Sequence, residues 1–320
     1  MEHNALSASH GGMESMSGAW QEQPAKLLHH YDRSAQHAAH EIIRRYSSSF
    51  FLASNLLRGH VKTDIRSLYA VVRIADEIVD GAGYGAGLST EQCRQLLDEY
   101  ERKVLAAPQQ RLHSDPVLHA YAITARRCGF TDEHLVAFFA SMRRDLEKQT
   151  CNKQQEFDAY IYGSAEVIGL LCLQVFLVGR KPSAQARLSM EHGARKLGAA
   201  FQKINFLRDI ANDTEFLGRQ YFPQLKDNDL DDAIKAELVA DIRTDLDTAR
   251  RSIFYLPLDA RLGVIAALEI FSELTKDIDR ISAAELLKTR VSLSPARKAL
   301  VLSRVPRIAW IRVASRRKNN

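Results

Sequence analysis

The stretch Arg66–Asp80 reads RSLYAVVRIADEIVD. Leu68, Val71, Val72, Ala75 and Val79 recur at three- and four-residue steps, the apolar stripe of an α-helix with something to pack on. Tyr69, Arg73, Asp76 and Asp80 are spaced 4, 3 and 4 apart. At about 100° per residue they fall within roughly 60° of one another, beside that stripe. The helix is therefore packed on one side and carries a Tyr-Arg-Asp-Asp row along the rim of what it packs into. Alone, the D-x-x-x-D step equally describes a solvated face on which Arg73 pairs with Asp76 or Glu77.

A second stretch repeats the design. Leu197–Asp213 reads LGAAFQKINFLRDIAND, and Gln202, Asn205, Asp209 and Asp213, spaced 3, 4 and 4, share a face. Leu197, Phe201, Ile204 and Arg208 lie toward another. If both rows face one cavity, four carboxylates converge, and they cannot all stay ionised away from water without countercharge. Hard cations resolve that conflict. Mg²⁺ fits, because it takes one or two carboxylates and completes its shell with water and phosphate oxygens, and Mn²⁺ is able to stand in. Zinc or iron would call for His or Cys ligands, and no Glu-x-x-His occurs. Arg73, Arg208 and Arg219 are candidate diphosphate clamps, since a guanidinium pairs bidentately with phosphate.

Around these stretches the chain of 320 residues is 46% hydrophobic with only 16 glycines and 8 prolines, which favours helix. No G-x-G-x-x-G or Walker-type loop, internal repeat or alternating β-branched run is present. Residues 1–24 lack helical periodicity and read as a mobile leader, 25–295 as one helical domain, and 296–320 as a less regular basic tail. A flexible loop is expected at Gly81–Thr90 (GAGYGAGLST). The four cysteines form no C-x-x-C pair, which points to a reduced cytoplasmic setting. Much of the net charge of +5 sits in the tail, where Ile308, Trp310, Ile311 and Val313 interleave with arginines. That pattern suits peripheral contact with the inner membrane surface, or a plain solvated end, and no nucleic-acid partner is expected.

At this point the sequence resembles the squalene/phytoene synthase family, and within it the bacterial phytoene synthases. The carrying segments are Ser47–Phe51 (SSSFF), Tyr69 with Arg73 and Asp76–Asp80 (DEIVD), Met142–Asp145 (MRRD) and Tyr160–Ala165 (YIYGSA). Further on come Phe201–Asp209 (FQKINFLRD), Asp213 and Gly218–Pro223 (GRQYFP), so the resemblance runs from about residue 30 to about 295. It implies an all-α isoprenoid-synthase helical bundle around a central cavity. Asp76, Asp80, Asp209 and Asp213 would hold Mg²⁺ bridged to diphosphates, and Arg73, Arg208, Arg219 and Tyr221 would hold substrate. Ser47 and Phe50 match positions at the second prenyl group's head; Tyr69, Arg73, Tyr160, Gln202 and Asn205 match the reacting centre. The implied reaction joins two geranylgeranyl diphosphates head to head into phytoene through a cyclopropylcarbinyl diphosphate, with no NADPH.

Departures accompany the match. Ser164-Ala165-Glu166 stands where many members have Val-Ala-Gly, Asn212 where a carboxylate is common, and Phe271 where relatives often have tyrosine. Small residues at Gly163, Ser164, Ala165 and Gly169 suit either prenyl chains lying against backbone or tight helix packing. Rival readings are a C15-using squalene or dehydrosqualene synthase, a terpene cyclase or head-to-tail enzyme, and a catalytically inactive relative acting as an assembly factor. The cyclase pattern asks for D-D-x-x-D and a Ser or Thr where Phe216 stands. An inactive relative would be expected to have lost metal aspartates.

Overall fold

The computed structural model describes the backbone of residues 13–147, 151–215, 220–226 and 228–317, and the side chains of 24–147, 151–211, 220–226 and 228–309. The chain runs through α1 (Met13–Tyr46), α2 (Ser48–Ser54), α3 (Gly59–Val79), α4 (Ala82–Gly85), α5 (Thr90–Ala106), α6 (Pro116–Cys128) and α7 (Asp132–Asp145). It continues through α8 (Gln154–Ile161), α9 (Val167–Phe176), α10 (Ala184–Glu215), α11 (Asp232–Ser252), α12 (Leu258–Arg280), α13 (Ala283–Leu286) and α14 (Pro295–Arg317). Among the described residues there is no β-strand, and the architecture is the all-α bundle around a cavity that is expected from the sequence.

Local chemistry sets the helix ends. Asp115 accepts from the backbone N–H groups of Val117 and Leu118, with Pro116 as the first residue of α6. Ser89 and Gln92 form a reciprocal capping box on α5. In the segment expected as a flexible loop, α4 occupies Ala82–Gly85, and Leu88 N–H returns to the Gly83 carbonyl.

Both chain ends are more helical than their sequence suggests. α1 reaches back to Met13, inside the segment read as a leader, and Pro24 falls within it. That stretch has no apolar stripe to reveal it, and helix propagates cheaply from a formed nucleus. The tail from Pro295 is a regular helix against α12, with Val301 and Val305 buried and Ile308 packed on the core. Ile308 thus faces protein; the side chains of Trp310, Ile311 and Val313 lie outside the described residues.

Two hydrophobic clusters form the interior. One is built around α10, α11 and α12, the other around α1, α3, α5, α6 and α7. They meet on α9, where Val167 and Leu171 belong to one cluster, Leu173, Val175 and Phe176 to the other. α8 and α9 are joined by a π-helical segment, Tyr162–Glu166. This assembly runs against α10: Tyr160 packs on Phe206 at 5.8 Å between ring centroids, and further along Gly198 abuts the Ala165 carbonyl and Gly169 the Ala194 carbonyl. A Cβ at either glycine would overlap the facing backbone oxygen, so these glycines bring the two helices close. Gly169, Ala165 and Ser164 also line the cavity beside that contact, whereas Gly163 does not and packs against Ser141 and the Ala137 carbonyl.

Candidate active site

A cavity of about 660 Å³ runs between α2, α3, α9, α10 and α12. Its two ends differ in chemistry.

At one end α3 contributes Asp76 and Asp80, one turn apart, and α7 ends there on Asp145. Asp76 keeps 33% of its side chain accessible, yet the surrounding walls push its carboxyl up to about 8. Desolvation is the main cause; Arg73 opposes it, while Asp80 and Asp145 add to it. Arg73 is pinned between Glu77, with which it forms a close ion pair, and Asp76 at 3.8 Å, and its guanidinium lies 4.5 Å from the Tyr46 ring centroid. Its buried Nε–H has no hydrogen-bond partner among the described residues.

Asp145 is 5% exposed and accepts a 2.6 Å hydrogen bond from the Tyr160 hydroxyl. Burial, then the Asp145 charge, drive the Tyr160 phenol well above its usual range, so it stays a proton donor. Tyr221 stacks on Phe206 at 3.8 Å and on Tyr160 at 5.3 Å. Ser47 caps α2 by accepting from Phe50 N–H, and it also bonds Tyr69, whose phenol burial raises to about 12.

On α10, Gln202, Asn205, Arg208 and Asp209 all line the cavity. So do Leu197 and Phe201, which with Arg208 are expected on another face; of that set only Ile204, fully buried, turns into the core. A helix against a wide cavity exposes an arc rather than a single row. Asp209 is clasped by Arg208, at 2.5 and 3.1 Å, and by Arg290 at 2.6 Å. Burial raises its carboxyl, but the two arginines more than reverse that, and it ends below the ordinary value. Asp213 stands one turn further along α10 with its side chain outside the described residues, as is that of Asn212; Arg219 lies wholly outside them.

Midway, Phe50, Phe201 and Phe271 form an aromatic waist with centroid separations of 5.5, 5.2 and 4.1 Å, and Tyr69 stands 6.2 Å from Phe50. Phe271 is buried and offers a ring face without a hydroxyl. Beyond the waist the walls are mainly apolar, with Ser164 and Ser252 among them.

Among the described residues no three His, Cys, Asp or Glu side chains are grouped as a ready metal cage. The donor chemistry nonetheless suits a hard cation that needs only one or two carboxylates: Asp76 and Asp80 are acidic neighbours with excess negative charge, facing a space wide enough for water and phosphate oxygens.

The model of the squalene/phytoene synthase family matches residues 43–297. The chain belongs to that family. The bifunctional lycopene cyclase/phytoene synthase of Blakeslea trispora is 24% identical over 301 residues, covering 85% of this chain and 48% of that one. Phytoene synthase 3, chloroplastic, of Zea mays is 29% identical over 195 residues, 60% of this chain and 43% of that one. The 4,4'-diapophytoene synthase of Staphylococcus haemolyticus (strain JCSC1435) is 27% identical over 210 residues, 64% and 68% of the two chains. The chain thus spans about half the length of the first curated relatives it matches. A dehydrosqualene synthase crystal structure in complex with ligand superposes with a TM-score of 0.71 at 21% identity over 88% of this chain and 98% of that one, which shows the shared fold.

Within this family fold, the cavity also takes in residues that the sequence pattern does not assign to it. Arg290 and Lys298 reach the acidic end from the connection before α14 and from its first turn, and Lys298 Nζ donates to Ser48 Oγ at 2.7 Å. Asp145 was legible as part of a motif but carried no role, and Phe201 was turned to the wrong face. Glu166, one of the departures, does not line the cavity: it pairs outward with Arg195 at 2.6 Å.

Proposed function

We propose that the chain is a Mg²⁺-dependent prenyl transferase that condenses two geranylgeranyl diphosphates head to head into phytoene, releasing diphosphate. The observation that carries this is the gradient within one cavity, from acidic and basic groups through an aromatic waist to an apolar end. Such a gradient matches a molecule with a diphosphate head and a long hydrocarbon tail.

Asp76, Asp80, Asp209 and Asp213 would hold the metal. Bound there, Mg²⁺ supplies Lewis-acid stabilisation of the departing diphosphate. Arg73, whose Nε–H has no partner among the described residues, and Arg208, Arg290 and Lys298 neutralise further phosphate charge. As the allylic C–O bond breaks, its electron pair leaves on the diphosphate. The resulting cation meets the ring faces of Phe50, Phe201, Phe271 and Tyr69 and the side-chain amides of Gln202 and Asn205. Tyr160, held by Asp145, keeps its hydroxyl fixed near the leaving group. The apolar walls exclude water that would quench the cation.

Length supports the C20 substrate. From Asp209 to Met190, α10 advances 19 residues, about 28 Å at 1.5 Å per residue. An extended chain gains roughly 1.2 Å per single bond, so a C20 prenyl chain spans roughly 19 Å and a C15 chain roughly 14 Å. With the first turn and a half given to the head group, roughly 20 Å remains. Volume favours a second reading, a C15-using synthase. A cavity of about 150 Å³ holds one benzene, so 660 Å³ corresponds to roughly 26 carbons, nearer two C15 chains than two C20 chains.

The test is incubation with Mg²⁺ and either C15 or C20 diphosphate, with and without NADPH, followed by mass analysis of extracted hydrocarbon. A C40 product independent of NADPH is expected. A C30 product alone supports the second reading, and no diphosphate release from either substrate rules out both. Asp76→Ala should abolish turnover, whereas an assembly factor would keep working.

A further inference from the structure

We propose that Met190, Phe176 and Leu256, which wall off the end of the cavity opposite the aspartates, form the gauge that selects isoprenoid chain length. This deepens the functional reading above and rests on it.

Three contacts along the antiparallel pair fix the depth axis. Tyr160 meets Phe206 beside Asp145, Ala165 meets Gly198 about a turn and a half deeper, and Gly169 meets Ala194 about one turn beyond that. Continued in the same sense, the axis reaches Phe176, the last residue of α9, and Met190 in the second turn of α10. Leu256, just past the end of α11, joins them from a third direction. All three line the cavity and are buried, at 8%, 2% and 7% exposure, so the space is closed there by side chains.

Two features make this a wall that reads length. First, Phe176 and Leu256 stand at or just past helix ends and Met190 near a helix start, so the reach of their side chains helps set where the cavity stops. Second, the neighbouring wall is fixed. A Cβ at Gly193 would overlap the Ser252 side chain, so the end of α11 already packs Ser252 directly against α10 beside Met190. A C20 chain fills the roughly 20 Å below the head group, and one more isoprene unit would add roughly 5 Å and run into these three side chains. Met190, unbranched and flexible, is the part of the wall that trimming opens at least cost to packing.

Binding can be read without turnover. Thiolo analogues of the C15, C20 and C25 diphosphates, with sulfur replacing the bridging ester oxygen to slow ionisation, are titrated by calorimetry with Mg²⁺. Met190→Ala is expected to tighten binding of the C25 analogue by about tenfold or more, with the C15 value within about twofold of the unaltered protein. Leu256→Phe should weaken the C20 analogue about tenfold while sparing C15. Met190→Leu, which retains bulk, should keep the original ranking, and circular dichroism checks that each variant is folded. Variants that move all three analogues equally, or none, overturn the gauge. If the unaltered protein binds none of the analogues, the functional reading itself fails and the gauge falls with it; if it binds them and only the variants behave alike, the gauge alone is wrong.

Discussion

Arg290 Nε lies 2.6 Å from Asp209 Oδ1, an ion pair between residues 81 positions apart. It ties the connection before α14 to the second aspartate helix and places a cation where a diphosphate would arrive. Arg208 holds the same carboxylate, so Asp209 is already neutralised before any ligand binds.

Removing Arg290 should therefore act in two opposite directions. In Arg290→Met the acidic end gains net negative charge, so Mg²⁺ alone should bind more tightly. Inorganic diphosphate in the presence of Mg²⁺ should bind about tenfold more weakly, the loss typical of one charge-assisted hydrogen bond. Calorimetric titrations of Mg²⁺ and then diphosphate measure both. Weakening of both by the same factor would mean that Arg290 only supports the local fold.

Asp76 gives the pH dependence. Its carboxyl is raised to about 8 in the folded protein, against an unfolded value near 3.8. The folded state thus holds a proton that the unfolded state releases above about pH 4. The sign follows: metal-free stability from this group is full below pH 4 and is lost as pH rises through 8. Asp76→Asn should raise the metal-free Tm at pH 8 by roughly 2–4 °C, the shift that ~1 kcal/mol produces in a large domain. The gain should vanish near pH 4. Thermal unfolding of both proteins at the two pH values measures it, and a gain independent of pH would contradict this account.

The all-α fold and one side of the site were legible because helix amphipathicity is local. Asp76, Asp80, Arg73 and Tyr69 lie on the cavity side as the 4, 3, 4 spacing requires. Arg290 and Lys298 were not legible, because a lone basic residue just before or inside a basic tail looks like its neighbours until the helix docks. Phe201 was misplaced because periodicity fixes angles on a helix but not the width of the arc that a cavity exposes. The helix from Met13 had no apolar stripe to announce it.

Lys203 sits inside the FQKINFLRD motif yet turns away from the cavity. Its Nζ lies 2.5 Å from Asp241 and 2.7 Å from Asp245, which also pairs with Lys196 at 2.9 Å. Asp245 is 2% exposed. Lys203→Met keeps the side chain's length but leaves that buried carboxylate short of a partner, a loss of about 3 kcal/mol. Adding Asp245→Leu should recover most of it, because an apolar pair of similar volume removes the orphaned charge. Urea denaturation of the single and double variants decides, and a double variant no better than the single would show that Asp245 is not the source of the loss.

Gly198 decides how close α10 lies to the π-helical segment. A Cβ there would overlap the Ala165 carbonyl oxygen and stand 3.0 Å from its carbon, both backbone atoms that cannot swing aside. Alanine improves helix propensity by about 1 kcal/mol over glycine. Overpacking against fixed backbone costs about 1–3 kcal/mol, so the second effect should win. Gly198→Ala is thus expected to destabilise by about 1 kcal/mol, the middle of the net range those two terms leave. Gly169→Ala, facing the Ala194 carbonyl, should behave the same way. Gly85→Ala, with nothing within 4 Å of the added carbon, serves as the control and should stay within about 0.5 kcal/mol. Because the two helices would be forced apart at mid-depth of the cavity, the destabilised variants should also accept bulkier prenyl analogues. Stability unchanged in Gly198→Ala would mean that the helices separate without cost and that the close approach is not what sets the cavity's width.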